Sequence, residues 1–109
     1  MIIKRYTAAF LIPIGANNIL GENGWEFESP KRLPKEVVEQ LISALRLDFI
    51  ELYSGIEKFV GDNIGMSIFL DDHNEVENIY FQVSDDSLKV LTELCQHPQM
   101  SSNAKMFVP

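Results

Sequence analysis

The chain has 109 residues with 46% hydrophobic content, eleven aromatics and a net charge of −7. That length fits one domain spanning residues 1–109, and the apolar and aromatic content excludes a disordered chain. Excess acid argues against a nucleic-acid backbone as partner, and Cys95, the single cysteine, excludes an intrachain disulfide framework and fits a reducing, cytoplasmic compartment.

The N-terminal stretch MIIKRYTAAFLIPIGA has a basic pair ahead of an apolar run and a small-residue end, a faint likeness to a secretory signal. The same residues work as a first strand over 3–12, because Tyr6, Ala8, Phe10 and Ile12 alternate with Arg5, Thr7, Ala9 and Leu11 before Pro13 closes the run. GANNILGENG then reads as loop, since Gly and Asn tolerate positive φ. WEFE follows as a short strand with Trp25 and Phe27 on one face, and Trp25 is expected in the core.

Pro34 suits a first helical turn, where its missing N–H costs nothing, and Val37, Val38, Leu41, Ile42 and Leu45 then recur at helical spacing. Residues 48–60 carry two patterns. Phe49, Leu52, Tyr53, Ile56 and Val60 fit a helix, but a helix there leaves almost no connection after the first one, so a strand through FIELY is expected. Ser84 is a good N-cap for a second helix, with Asp85 and Asp86 in its first turn and Leu88, Leu91, Thr92, Leu94 and Cys95 inward. Pro98 stops it, and after a polar loop AKMFV adds a last short strand.

MSIFL and VENIYFQV are the clearest strands. An even-length loop centred on His73–Asn74 sets Ile68 against Ile79 and Met66 against Phe81, placing four apolar side chains, with Leu70, on one face. Asp71, Asp72, His73, Asn74 and Glu75 then form the hairpin tip, where Asp and Asn satisfy a turn without any chemistry. Phe69 and Tyr80 fall on the other face among Ser67, Asn78 and Gln82.

Catalytic constellations are weak. Asp71, Asp72 and His73 are adjacent on the chain and diverge, there is no HExxH or CxxC spacing, and the Gly-rich loop lacks the P-loop Lys. Cys95 lies on the apolar side of a helix, where a thiol is inert core, and so neither a cofactor nor a catalytic residue is assigned.

Charge is the more informative signal. Residues 1–47 carry six bases against five acids, whereas residues 48–93 carry eleven acids against Lys58 and Lys89. A basic protein complements such a segment. The expected fold is α+β: a mainly antiparallel sheet of four to five strands with two amphipathic helices on one face, compatible with a ferredoxin-like arrangement. The expected function is a non-enzymatic binding protein that occludes a basic partner such as a nuclease toxin, as an immunity protein or antitoxin does. Asp71, Asp72, Glu75 and Glu77 would steer that partner, and Phe69 and Tyr80 would anchor it. The alternatives are a small enzyme or metal-dependent domain using the Asp–His tip, and a domain that self-associates through a sheet edge.

Overall fold

A computed structural model describes residues 5–109, and over these the chain forms eight strands and three helices. Strand β1 (Tyr6–Pro13) leads into a hairpin of β2 (Asn17–Gly21) and β3 (Gly24–Glu28), followed by helix α1 (Lys35–Ala44). A meander follows: β4 (Asp48–Tyr53), β5 (Ile56–Gly61), β6 (Ile64–Leu70) and β7 (Val76–Ser84). Helix α2 (Asp85–Cys95), the single turn α3 (Pro98–Ser101) and β8 (Ala104–Phe107) complete the chain. Residues 1–4 lie outside the described residues; they take in the start of the signal-like reading and the first two residues of the strand expected over 3–12, whose remainder corresponds to the inner strand Tyr6–Pro13 of the sheet.

The main sheet is antiparallel with order β4-β5-β6-β7-β1-β8. It has six strands, against the four to five expected, because residues 48–61 supply two strands joined at Ser54-Gly55. Both turn residues have positive φ, 51° and 76°, the backbone a two-residue hairpin requires. Residues 17–21, expected as loop, form a strand that pairs with 24–28 to make a separate hairpin.

One face of the sheet carries the core. Ala9 and Leu11 from β1, Phe59 from β5, Ile64, Met66 and Ile68 from β6, and Ile79, Phe81 and Val83 from β7 are buried together. Val37 and Leu41 of α1, Leu91 of α2 and Met100 of α3 close over them. Each of these side chains larger than alanine contributes about 1.5–3 kcal/mol when taken from water. Ser84 caps α2, its hydroxyl accepting the Ser87 N–H at 3.3 Å, while Pro34 precedes α1 without a side-chain cap.

Opposite this core lies a smaller aromatic cluster under the β2–β3 hairpin. Phe10 meets Phe27 at 4.9 Å and Tyr80 at 5.2 Å between ring centroids, and Trp25 meets Phe107 edge-on at 4.8 Å. Trp25 is thus a half-buried member of a satellite cluster on the face away from the helices.

Candidate interaction face

The β6–β7 hairpin sets the geometry of the predicted site. Its register pairs Ile68 with Ile79 and Met66 with Phe81, as the apolar pattern required. The loop differs in detail: Leu70 pairs with Val76, so five residues, 71–75, make the tip, and a bulge at Glu77 restores the even register from Phe69–Asn78 onward. Two irregularities cancel, and all the core residues keep their face.

Asp71 organises that tip. Its Oδ1 accepts the backbone N–H groups of His73 at 2.8 Å and Glu75 at 3.0 Å, and its Oδ2 accepts Arg32 Nε at 2.9 Å. The Arg32 guanidinium, with the Glu75 N–H next in weight, pulls the Asp71 carboxyl down to about 2. Arg32 also donates to the Ser29 carbonyl at 3.1 Å, so one guanidinium ties the segment before α1 to the hairpin tip. Beside it the Leu33 N–H donates to the Val76 carbonyl at 2.9 Å.

The six predicted binding residues therefore separate. Asp71 serves the turn; Asp72 and Glu75 are exposed at the tip; and Glu77 is half-buried at the bulge. Glu75 also borders a groove of about 460 Å³ between the start of α1 and the sheet, with Arg32, Lys35 and Glu57 around a floor that includes Leu70. Phe69 and Tyr80 lie on the outer face of the sheet, Tyr80 leaning on Phe10.

Cross-strand pairing maps that outer face. One row runs Phe10, Tyr80, Ser67, Lys58, Glu51, and the next runs Ala8, Gln82, Gly65, Val60, Asp48. The aromatic contacts of the β2–β3 hairpin reach Phe10, Tyr80 and Phe107 on β1, β7 and β8, while α1 and α2 pack on the other side. Among the described residues nothing covers the face over β4, β5 and β6, where Val60 is 44% exposed. Its one basic side chain among these rows, Lys58, faces Glu51 at 3.6 Å, so this surface carries little net charge.

Gly65 is the second residue of β6 and the central position of the Ala8–Asp48 row, near the β5–β6 turn. Its φ lies outside the positive range, and a Cβ added there would meet nothing within 4 Å. Neither backbone geometry nor internal packing demands glycine, although glycine inside a strand costs about 0.5–1 kcal/mol relative to alanine. Tyr6, Val60 and Gln82 surround the resulting depression on one side and Ile50, Ser67 and Tyr80 on the other. Sequence reasoning missed Gly65, Ile50 and Val60 as site residues; the available signal was a glycine directly preceding an otherwise ideal strand pattern.

Acidic residues stand at the two ends of these strands. Asp62 occupies the β5–β6 turn, and its carbonyl accepts the Ser87 hydroxyl at 3.4 Å, which sets it beside Asp85 and Asp86 at the start of α2. Asp48 lies at the same end, one strand over. Asp72 and Glu75 lie at the opposite end. Among the described residues no group of three or more His, Cys, Asp and Glu side chains is placed to hold a metal, and no helix is long and apolar enough to cross a membrane. Burial pushes the Cys95 thiol up to about 11, the state of an unreactive sulfur.

No protein-family model, curated protein or solved structure matches this chain.

Proposed function

We propose that the protein is a non-enzymatic binding module that seats the open outer face of its sheet on a basic protein and occludes it, in the manner of an immunity protein or antitoxin. The observation that carries this reading is Gly65: a strand glycine that its own chain does not require, in a depression bordered by Tyr6, Ile50, Val60 and Tyr80. Glycine at such a position admits close approach of another molecule. Apolar and aromatic side chains around it supply the desolvated centre of an interface, and Asp48, Asp62, Asp72 and Glu75 at the ends supply a polar rim that attracts positive charge.

The single cysteine supports a reducing, cytoplasmic setting. The strand order supports a ferredoxin-like plan with two strands added to the sheet: setting aside β5 and β6, the separate β2–β3 hairpin and the single turn α3 leaves a βαββαβ succession in which β7 lies between the parallel strands β1 and β4.

The test is capture of partners from extracts of the source cells on immobilised protein, followed by binding measurements on the captured species. A basic protein should be retained, and Gly65→Tyr, which fills the depression without touching the core face, should weaken its binding by at least about tenfold. A folded Gly65→Tyr variant that binds the same partner with unchanged affinity would overturn the assignment of this face.

A further inference from the structure

The free edge of the sheet at β4 differs from the edge at β8. Strand β8 has four residues, carries the exposed Lys105, and is flanked by the aromatic contacts of Trp25 and Phe27 on Phe107. Such short, charged or covered edges resist pairing with other chains. Strand β4 has six residues, DFIELY, all exposed, with no Lys, Arg or Pro among them. Phe49 is 57% exposed, Ile50 55%, Leu52 59% and Tyr53 73%.

We infer that β4 pairs antiparallel with β4 of a second copy across a two-fold axis, making one continuous sheet. The pairing of β4 with β5 decides which register such a dimer uses. Phe49 lies opposite Phe59 and Leu52 opposite Glu57, on the helix side, whereas Asp48 lies opposite Val60 and Glu51 opposite Lys58, on the outer side. Ile50 is the extra residue of a bulge and joins the outer side, where it borders the Gly65 depression. Side chains directly opposed across an antiparallel pair must share a face.

Only one full-length register meets that condition. It sets Phe49 against Leu52 of the second copy, Ile50 against Glu51, and Asp48 against Tyr53. Shifting by one residue in either direction opposes helix-side to outer-side residues, and one of those shifts also places Glu51 against Glu51. The favoured register sets no carboxylate directly opposite its own copy and makes a four-residue apolar strip from two Phe49–Leu52 pairs. The bulge, a device that elsewhere turns an edge away from partners, falls on the two-fold axis, where the Ile50–Glu51 step of one copy meets the Glu51–Ile50 step of the other.

With about 200 Å² per large side chain, the four exposed apolar residues offer roughly 500 Å² per copy. The pair reaches about 1,000 Å² before backbone is counted, at the lower limit of specific interfaces. A reversible dimer follows. It uses the β4 edge, including Ile50 at the border of the Gly65 depression, and its test reads self-association of the isolated protein, in which the partner proposed above takes no part.

The test is sedimentation equilibrium of the isolated protein from micromolar to millimolar concentration. The mass should rise from 12.4 kDa toward twice that value and stop there. Leu52→Lys should raise the dissociation constant by at least about tenfold without changing the far-UV circular dichroism. In a Cys95→Ala background, mixing an Asp48→Cys chain with a Tyr53→Cys chain should give a disulfide-linked dimer under mild oxidation, and neither chain alone should do so. A mass that stays at 12.4 kDa, growth beyond a dimer, or cross-linking of either chain with itself in place of the mixture would overturn the proposal.

Discussion

Replacing Gly65 with alanine separates an open surface from a packed one through stability alone. Glycine inside a strand loses more backbone entropy on folding than alanine does, about 0.5–1 kcal/mol. The added methyl meets nothing within 4 Å and the φ is not positive, so no steric term opposes that gain. Gly65→Ala should therefore stabilise the protein by about 0.5–1 kcal/mol, raising Tm by about 2–4 °C at this chain length. Gly61, four residues earlier, is the internal control. A methyl there would lie 2.7 Å from Leu47 Cδ2, 3.0 Å from Ile64 Cγ2 and 3.3 Å from the Leu45 carbonyl oxygen. Overpacking of this kind costs about 1–3 kcal/mol, which cancels the same entropic gain and leaves a net loss of up to about 2.5 kcal/mol. Urea unfolding followed by far-UV circular dichroism measures both, with an unchanged m-value showing that compactness is preserved. Destabilisation of Gly65→Ala comparable to that of Gly61→Ala would mean that another part of the chain covers the face and that no open site exists at Gly65.

Three further outcomes follow from local chemistry. Asp71 ionises more easily in the folded chain, at about 2 against 3.8, so its contribution is complete above pH 4 and is lost as pH falls through 2; Asp71→Asn should flatten the acid limb of stability in that window, read from urea midpoints against pH. Ser84→Ala removes the acceptor for the Ser87 N–H and should cost about 1 kcal/mol in the same assay. Cys95, with its thiol pushed up to about 11, should react slowly with a disulfide reagent at pH 8 and at the rate of a free thiol once urea unfolds the chain.

Periodic burial made some elements legible. Val37 and Leu41 are buried in α1, Leu91 in α2, and the β6–β7 register follows from opposing apolar residues, because each pattern reports a single core face. Where no core face exists, the pattern vanishes. Strand β2 is exposed at Asn17, Asn18, Ile19 and Leu20, and it is held by pairing with β3, whose Trp25 and Phe27 reach Phe107; nothing in NNIL alternates. Strand β4 is exposed throughout, and its bulge at Ile50 breaks the period of two, which is why its residues also matched helical spacing. The outer face was half legible. Phe69 and Tyr80 follow from strand alternation, whereas the depression at Gly65 depends on Tyr6, Val60 and Ile50 arriving from three other strands.

The acidic segment 48–93 looks like one patch in the sequence, and the meander divides it. Asp48, Asp62, Asp85 and Asp86 gather at the end of the sheet that holds the β5–β6 turn, while Asp71, Asp72, Glu75 and Glu77 gather at the end that holds the 71–75 tip. Strands of six to nine residues separate these ends by about 20 Å or more at roughly 3.3 Å per residue. That exceeds the Debye length of about 8 Å at physiological salt, so the two groups attract a partner independently. Asp71 is already neutralised by Arg32, which weakens the tip end relative to the other. Reversing charge with Asp48→Lys and Asp62→Lys should therefore slow association with a basic partner more than Asp72→Lys and Glu75→Lys, and should lower the salt dependence of the association rate. Equal slowing from both pairs in stopped-flow measurements at physiological salt would show the acids acting as one field, and a larger effect at the tip would move the docking site toward it.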